Sequence, residues 1–510
     1  MGRVWFTDHP HISATFEDLT IVTPRITNAY FAQKVVTAGT PAQGDTAATA
    51  PTVAFNEIHQ GILGRDMYIL VETENFIPLN QNILSTERAS LTVTLKTADC
   101  NLTGTAEQTL QITDGTAAIE SITVQVGDTT ALNDSNGDCP YGNVDEFTDT
   151  AIIKVSLRPN TRAVFDTWAE NISNAGQDLP AIEIEIAHED ANMIVAYGPE
   201  ENPQGVWVAS GRFMNTDGHR FTLQNKNVYE IYHGDNLFNP LGTHTHNGEV
   251  VRRRIASIEN TFSTDVKYFF YNGIDNCYEI CECPLSTARR RNNGQRVSTT
   301  LFQSTYNNFT SSVPAPEGGD AETNYHYADG SIISYGQAYG YRRYPLANPN
   351  NLNDLVNLIR MPDNLNFNQE TGSNRVRATF TYRNTARRYC NPESFAGFLG
   401  SLIQLDREDI VCTGMCFADA TSYPSVTHPN GDSVDTAYLA TLTREQLKVN
   451  AFNDFYFDNV YKGYGYKIIN GVQVTTISWL PSLTNATAIS GHEDHLHAGD
   501  FDSNKLLILN

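Results

Sequence analysis

The chain reads Ser90-Leu-Thr-Val-Thr-Leu-Lys-Thr97 at one point, and its apolar residues occupy every second position. This alternation is typical of a strand with one buried face. The same period recurs in later stretches, at Ile122, Val124 and Val126, at Ile153, Val155 and Leu157, and at Ile182, Ile184 and Ile186. A helix is predicted near Phe165 to Ile172. We therefore expect residues 1–200 to form an all-β, sandwich-like region.

The alternation of apolar and polar residues does not continue beyond residue 200. Residues 201–375 are rich in Gly, Asn, Asp and Tyr with little periodicity, so we predict a loop-rich middle domain. Residues 376–510 mix helix and strand signals, which predicts a C-terminal α+β domain. Its predicted elements are a strand at Val376–Tyr382, a helix opened by Asn391-Pro392-Glu393, a buried strand at Asp409–Phe417, a helix opened by the capping box Thr443-Arg-Glu-Gln446, and a hairpin turning on Asn470-Gly471.

The charge balance bears on partners. The 34 basic and 58 acidic residues give 34 − 58 = −24, a charge that repels nucleic-acid phosphates and anionic membranes alike. We therefore expect neither nucleic acid nor membrane as a partner. The first ten residues lack the basic stretch and apolar core of a secretory signal. We expect a protein that is made in the cytoplasm without a signal peptide.

Two polar clusters in the last quarter of the chain carry the chemistry. They read His428-Pro-Asn-Gly-Asp-Ser-Val-Asp435 and His492-Glu-Asp-His-Leu-His497. A catalytic zinc takes about three ligands from protein, and His428, Asp435 and His497 would supply two imidazoles and one carboxylate. Gly431 permits the tight reversal that this requires, and strand alternation puts His495 and His497 on one side. The sequence thus predicts a zinc site.

Chance alone seldom produces both clusters. From the residue frequencies, His-x2-Gly-x3-Asp is expected ~0.05 times and His-x2-His-x-His on the order of 0.01 times in such a chain. A single histidine is more often an ordinary surface or core residue. The combination favours a functional site over a set of unrelated histidines.

The two clusters resemble the zinc peptidases of the lysostaphin, D-Ala-D-Ala peptidase and hedgehog group, nearest the penicillin-insensitive murein endopeptidase branch. That family has Ser-x-His-x-x-Gly-x-Ala-x-Asp followed downstream by His-x-His, and Val426 stands where it often has serine. The resemblance implies a metallopeptidase that cleaves peptidoglycan peptides, with Zn²⁺ on His428, Asp435 and His497. It makes His495 and His492 catalytic, with His495 beside the zinc-bound water and His492 orienting it.

A second resemblance concerns delivery. The stretch Met67-Tyr-Ile-Leu-Val-Glu-Thr-Glu-Asn-Phe76 is similar to β-domains of effectors or spike-associated proteins of bacterial contractile injection systems. It implies a cell-wall-degrading effector, or toxin, that such an apparatus exports to the target cell wall. Two alternatives stay open: a non-catalytic tail or baseplate component that retains the metal site, and a carbohydrate-binding protein that uses the tyrosines of 324–344.

Overall fold

A computed structural model of the protein describes part of residues 23–509. The gaps are 38, 41, 43–46, 77–88, 114–117, 134–137, 191–193, 199–206, 209–211, 214–219, 234–244, 247–248, 251–252, 272–276, 292–294, 299–322, 327–331, 336–340, 345–352, 372–373, 384, 386, 421, 423–424 and 426. The described residues form two compact units, one reaching to Asn225 with Asn260–Phe262, the other comprising Lys226–Glu259 and Ser263–Leu509.

The first unit is β-rich and contains one α-helix among its described residues. Its elements are β1 (Arg25–Thr37), β2 (Thr52–Glu57), β3 (Gln60–Ile62), β4 (Asp66–Glu74), β5 (Ser90–Thr97), β6 (Ile112–Thr113), β7 (Ala118–Ile119), β8 (Ile122–Gln125), β9 (Thr150–Ser156), α1 (Arg162–Ala175), β10 (Ile182–His188), β11 (Ala196–Tyr197), β12 (Trp207–Val208), β13 (Arg212–Phe213) and β14 (Thr222–Gln224). Every strand stretch predicted from alternation corresponds to an observed strand. The predicted helix is α1, longer at both ends than the sequence indicated.

Ten of these strands form two five-stranded sheets, and the other four form the pairs β3-β14 and β6-β7. One has the order β11-β1-β4-β9, with β2 also pairing with β1, and the other has the order β12-β13-β10-β5-β8. Along β5 the buried residues alternate with half-buried ones, because only one face of that strand is covered. Leu91, Val93 and Leu95 lie on the covered face. The sandwich packing of this region stays a prediction.

The second unit holds the remaining elements. They are β15 (Asn227–His233), β16 (Thr245–His246), β17 (Glu249–Val250), β18 (Arg253–Ile258), β19 (Asp265–Tyr271), β20 (Cys277–Arg289), β21 (Gln295–Ser298), β22 (Thr323–His326), β23 (Ile332–Tyr335), β24 (Tyr341–Tyr344), β25 (Leu355–Arg360), β26 (Leu365–Thr371), β27 (Asn374–Tyr382), β28 (Tyr389–Cys390), α2 (Pro392–Leu405), β29 (Val411–Gly414), β30 (Ser433–Ala437), α3 (Leu442–Asp454), β31 (Phe457–Lys462), β32 (Tyr466–Ile469), β33 (Val472–Thr475), β34 (Thr487–Ala488), β35 (His495–Phe501) and β36 (Leu506–Ile508). No helix in the described part of the chain is long and apolar enough to cross a bilayer.

Two seven-stranded sheets dominate this unit, and they correct the prediction of a separate, loop-rich middle domain over 201–375. The first sheet has the order β28-β25-β20-β19-β15-β18-β36, so strands from 227–360 pair with strands from the C-terminal region. The domain boundary expected at 376 falls inside β27, which pairs with β26. Residues predicted to lie in two domains therefore share one compact unit.

The strands of the first sheet escaped prediction because burial on both faces removes the alternation. In β15 all residues after Asn227 are buried, and polar residues interrupt what would otherwise be an apolar run. One of them, Glu230, accepts a hydrogen bond from the Tyr232 hydroxyl at 2.8 Å. A strand whose polar side chains form hydrogen bonds inside the core therefore cannot be predicted from the pattern of apolar residues alone.

Helix α2 forms the centre of the second unit. Asn391 caps it, its side chain accepting from the Glu393 amide at 2.9 Å, with Pro392 in the first turn as predicted. The helix packs against β15 of the first sheet and β27 of the second. Its Phe395 ring meets the Tyr268 ring edge-on at 5.0 Å. Because most of its residues are buried, α2 joins both sheets through one apolar core.

Helix α3 begins two residues earlier than its predicted capping box. Thr441, not Thr443, is the N-cap, and its hydroxyl accepts from the Arg444 amide at 3.4 Å. The Gln446 side chain, which the predicted box needs, does not return to Thr443: its Oε1 accepts from the Thr484 amide at 2.8 Å. The hairpin of β32 and β33, in contrast, turns on Asn470-Gly471 as predicted.

Thr441→Ala should lower the free energy of unfolding of the second unit by ~1 kcal/mol, since it removes the cap of α3. Thr443→Ala is the matched control, because Thr443 is exposed and makes no cap, and it should change stability by less than ~0.5 kcal/mol. Urea unfolding followed by circular dichroism measures both. Equal effects of the two substitutions would contradict the assigned cap.

Candidate metal site

Two neighbouring strands of the second seven-stranded sheet, whose order is β26-β27-β29-β30-β35-β31-β34, bring Asp435 and His497 together. Strands β30 and β35 are antiparallel, and their register sets Asp435 directly opposite His497 and Ala437 opposite His495. Residues that face each other across an antiparallel pair project to the same face of the sheet. The strand pairing alone therefore brings one imidazole and one carboxylate, 62 residues apart in the chain, into contact.

The third member, His428, comes from the loop before β30. It precedes a single 3-10 turn, Pro429–Gly431, in which Gly431 has a φ of 74°. Asn430 anchors this turn: its side chain accepts from the Arg291 amide at 2.7 Å and donates to the Arg291 carbonyl at 2.9 Å. The Gly431 carbonyl accepts from the Asn391 amide at 2.9 Å. The turn is thus held to two other segments, and His428 is fully buried against the sheet.

The three side chains meet at hydrogen-bond distances. His428 Nε2 lies 2.9 Å from Asp435 Oδ2, His497 Nδ1 lies 3.0 Å from Asp435 Oδ1, and the two ring nitrogens are 3.0 Å apart. If both imidazoles donate to the carboxylate, both ring nitrogens carry protons and neither can accept from the other across the 3.0 Å between them. If only one carries its proton there, the other nitrogen presents a lone pair to the carboxylate. Protons alone leave one of the three contacts unsatisfied, whereas a cation between the atoms satisfies all three.

The donor set fits a metal ion. Two imidazole nitrogens and one carboxylate oxygen are zinc ligands, and bonds of ~2.0–2.1 Å in a tetrahedron separate ligand atoms by about 3.3 Å. The two imidazole nitrogens are 3.0 Å apart, close to that spacing, and each lies 2.9 to 3.0 Å from one of the two oxygens of the Asp435 carboxylate. With one ligand atom taken from each residue, the three atoms lie within 4.8 Å of one another. All three residues are buried, and this group of His428, Asp435 and His497 can hold a metal ion. The other ring nitrogen of His428, Nδ1, is buried and has no hydrogen-bond partner within the part of the chain that the structure describes.

His495 and His492 flank the group. His495 Nε2 lies 3.4 Å from Asp435 Oδ2, and its Nδ1 lies 2.9 Å from the Asp494 carboxylate. The His492 ring centre is 4.8 Å from that of His495 and 5.5 Å from that of His497. All five histidines and aspartates predicted as site residues therefore lie at one place. Val426, where the resembled family often has serine, lies outside the described residues.

Burial and the neighbouring charges give the ligands the protonation states that a metal needs. Burial lowers the pKa of His428 to about 4, and the positive charge of Arg387 acts in the same direction. Burial alone would raise the pKa of Asp435, but His428 and His495 hold it well below its ordinary value. A neutral imidazole and an ionised carboxylate are the forms that bind metal.

The pKa values of the two flanking histidines, His492 and His495, are shifted in opposite directions. Burial opposes protonation of His495, yet Asp435 and Asp494 together raise its pKa above the ordinary value. Burial and the nearby His495 lower the pKa of His492 to about 4. The two rings thus differ in proton affinity although they are in contact, because only His495 has carboxylates on both sides.

Two tyrosines that the sequence did not single out complete the site. The Tyr461 ring stacks on His497, with ring centres 5.4 Å apart. The Tyr438 hydroxyl donates to the His492 carbonyl at 2.7 Å and accepts from the Gly463 amide at 2.9 Å. It ties the segment that carries His492 to the ends of β30 and β31. The positions of Tyr438 after β30 and of Tyr461 in β31 gave no motif that could have indicated these roles.

A buried ion pair supports the far end of β30. Lys448 Nζ and Glu445 Oε1 are 3.0 Å apart and fully buried on α3. Lys448 donates to the Ala437 carbonyl at 2.7 Å, while Glu445 accepts from the Leu439 amide. A pair of this kind contributes little net stability, since desolvation offsets its attraction, but it fixes the chain segments that it binds. Here it holds the segment that follows Asp435.

Comparison of the chain with protein-family models, with curated proteins and with solved structures found no match in any of the three. The indication of function that remains is the group formed by His428, Asp435 and His497. What the geometry defines is a buried group of two histidines and one aspartate that can hold a metal ion, in a β-rich protein.

His428→Ala should remove most of the bound metal, because it leaves two ligands at a site that needs three. We expect about one metal ion per chain in the native protein after exhaustive dialysis, measured by elemental analysis. His59→Ala is the matched control, since His59 is an exposed histidine of the first unit. Equal metal content in the His428 variant and the native protein would contradict the ligand assignment.

Proposed function

We propose that this protein is a zinc-dependent peptidoglycan peptidase. The observation that carries the proposal is the buried convergence of His428, Asp435 and His497 with a further histidine, His495, against the same carboxylate. Two histidines and one carboxylate leave a coordination position free for water or substrate in zinc hydrolases. The resemblance of both clusters to zinc peptidases of the murein endopeptidase branch supplies the substrate class.

Zinc bound at this site would acidify a water molecule and polarise the carbonyl of the scissile bond. The chain's own contribution begins with His495, which lies within reach of the ligand carboxylate and can exchange a proton with the reacting groups. Asp494 holds the Nδ1 of His495 at 2.9 Å and so orients its Nε2 toward the site. His492 packs against His495 and limits the orientations of that ring.

Delivery to a target cell wall forms the second part of the proposal. The stretch that resembles contractile-injection proteins is built around β4, which pairs with both β1 and β9 in the first unit. In this proposal the first unit is loaded by a component of the injection apparatus and the second unit carries the activity. A non-catalytic tail or baseplate component that keeps the metal site is the alternative, and turnover on isolated cell walls separates the two.

A third interpretation, sugar binding by the tyrosines of 324–344, gains no support. The side chains of the strands β22, β23 and β24 and the residues between them lie outside the described part of the chain. No surface can therefore be assigned to them, and the metal group remains the basis of the proposal.

His495→Ala should keep its zinc and lose ~10²-fold or more in the rate of peptide release from purified sacculi, the usual contribution of a group that transfers protons. Mass analysis of released muropeptides gives the rate and the bond cleaved, while elemental analysis gives the zinc content. His59→Ala again serves as the control and should digest sacculi at the native rate.

Three results would count against this assignment. Loss of zinc in the His495 variant would make His495 a ligand, and an unchanged rate would remove it from the mechanism. A native protein that holds zinc but releases no muropeptide would favour the structural-component alternative.

A further inference from the structure

Arg387 reaches the same face of the sheet as the metal group. Gly414 of β29 is the ladder partner of Asp435, so a side chain at position 414 would project beside the Asp435 carboxylate. Gly414 has no side chain, and the guanidinium of Arg387 lies in that place. Its Nη2 is 2.5 Å from the point where a Cβ on residue 414 would be. A side chain at position 414 would have to displace the guanidinium from this place.

Among the described residues, the guanidinium of Arg387 has no anionic partner. Arg387 Nη1 donates to the Ser422 carbonyl at 3.4 Å, and Nε is buried without an acceptor. No carboxylate of the described residues lies within ion-pair distance of it. The adjacent Arg388 differs, since it pairs with Asp363 at 2.5 Å. An unpaired donor on a half-buried cation is costly unless a ligand satisfies it.

The charge around this position favours an anion. A divalent ion held by two neutral imidazoles and one carboxylate would leave one net positive charge, and Arg387 would add a second. The protein as a whole carries −24, so any attraction of an anion to this position would come from these local charges. A guanidinium presents parallel N–H donors that match the two oxygens of a carboxylate.

We propose that Arg387 forms a carboxylate-binding subsite beside the metal group, which takes a free carboxylate of the peptide substrate. The inference rests on the proposed peptidase function for the nature of that ligand. Peptides of the cell wall carry carboxylates both at the chain end and on side chains, and either could bind a guanidinium. The probes of the test distinguish these two sources.

The test is calorimetric titration of the zinc-loaded full-length protein with three small probes. N-acetyl-D-alanine offers an end carboxylate, N-acetylglutamic acid α-amide offers a side-chain carboxylate, and N-acetyl-D-alaninamide offers none. We expect one or both carboxylates to bind and the neutral amide to bind far more weakly. Whichever carboxylate binds more tightly identifies the source of the natural ligand.

Arg387→Gln should weaken the carboxylate affinity ~10-fold or more while zinc content stays unchanged. Arg387→Lys keeps the charge and loses the paired donors, so it should weaken binding by a smaller factor. Arg444→Gln is the matched control, because Arg444 lies exposed on α3, 4.0 Å from Asp409, and it should bind the probes as the native protein does. Thermal unfolding checks that each variant is folded.

Native carboxylate affinity in a folded, zinc-loaded Arg387→Gln protein would overturn the subsite. So would equal affinity of the native protein for the acid and the amide, or loss of zinc in the Arg387→Gln variant. If Arg387→Gln does not fold, native affinity in Arg387→Lys overturns it instead. Arg387-dependent binding in a protein that releases nothing from sacculi would contradict the proposed function and leave the subsite standing.

Discussion

The antiparallel pairing of β30 with β35 is the constraint on which the site depends. Its register sets Asp435 of β30 opposite His497 of β35. His495 lies two positions before His497 on β35 and therefore on the same face. A slip of one residue would turn His497 to the opposite face and separate it from the carboxylate, because side chains alternate along a strand. The backbone hydrogen bonds between β30 and β35 thus fix the relative positions of Asp435 and His497, independently of contacts between the side chains.

A polar site buried at this depth requires support from outside the strand pair. His428 approaches from a turn that the Asn430 amide fastens to Arg291, and the chain after Asp435 is held by the ion pair of Lys448 and Glu445. Tyr438 then links the segment of His492 to the neighbouring strand ends. These contacts are polar and enclosed, so each is costly to leave unsatisfied. Their combined effect is to restrict the orientations that the five site residues can adopt.

Helix α2 gives the same region its apolar foundation. It lies against β15 of one sheet and β27 of the other, and its Phe398 ring meets Phe380 of β27 at 5.7 Å. The same helix also contacts β30 and β35, the two strands that carry Asp435 and His497. A site mounted on packed strands keeps its geometry better than one mounted on loops.

Local sequence patterns were sufficient to predict several features of this protein. The alternation of Leu91, Val93 and Leu95, the cap at Asn391, the turn at Asn470-Gly471 and the grouping of His428, Asp435 and His497 each depend on residues close together or on spacing within a known motif. Propensity and periodicity act over such short distances, so the sequence alone carried that information.

Tertiary structure decided the rest. The β15 strand is covered on both faces and contains hydrogen-bonded polar groups, so its sequence does not alternate between apolar and polar residues. The sheet that joins strands of 227–360 to the C-terminal strands could therefore not be predicted from periodicity. The N-cap of α3 is Thr441, and Gln446 of the predicted box binds the distant Thr484 amide instead of Thr443. Arg387 and Tyr461 reach the site only through strand pairing and packing between segments distant in the chain. Contacts of that kind leave no spacing in the sequence, because their energy comes from burial and pairing that exist only once the chain has folded.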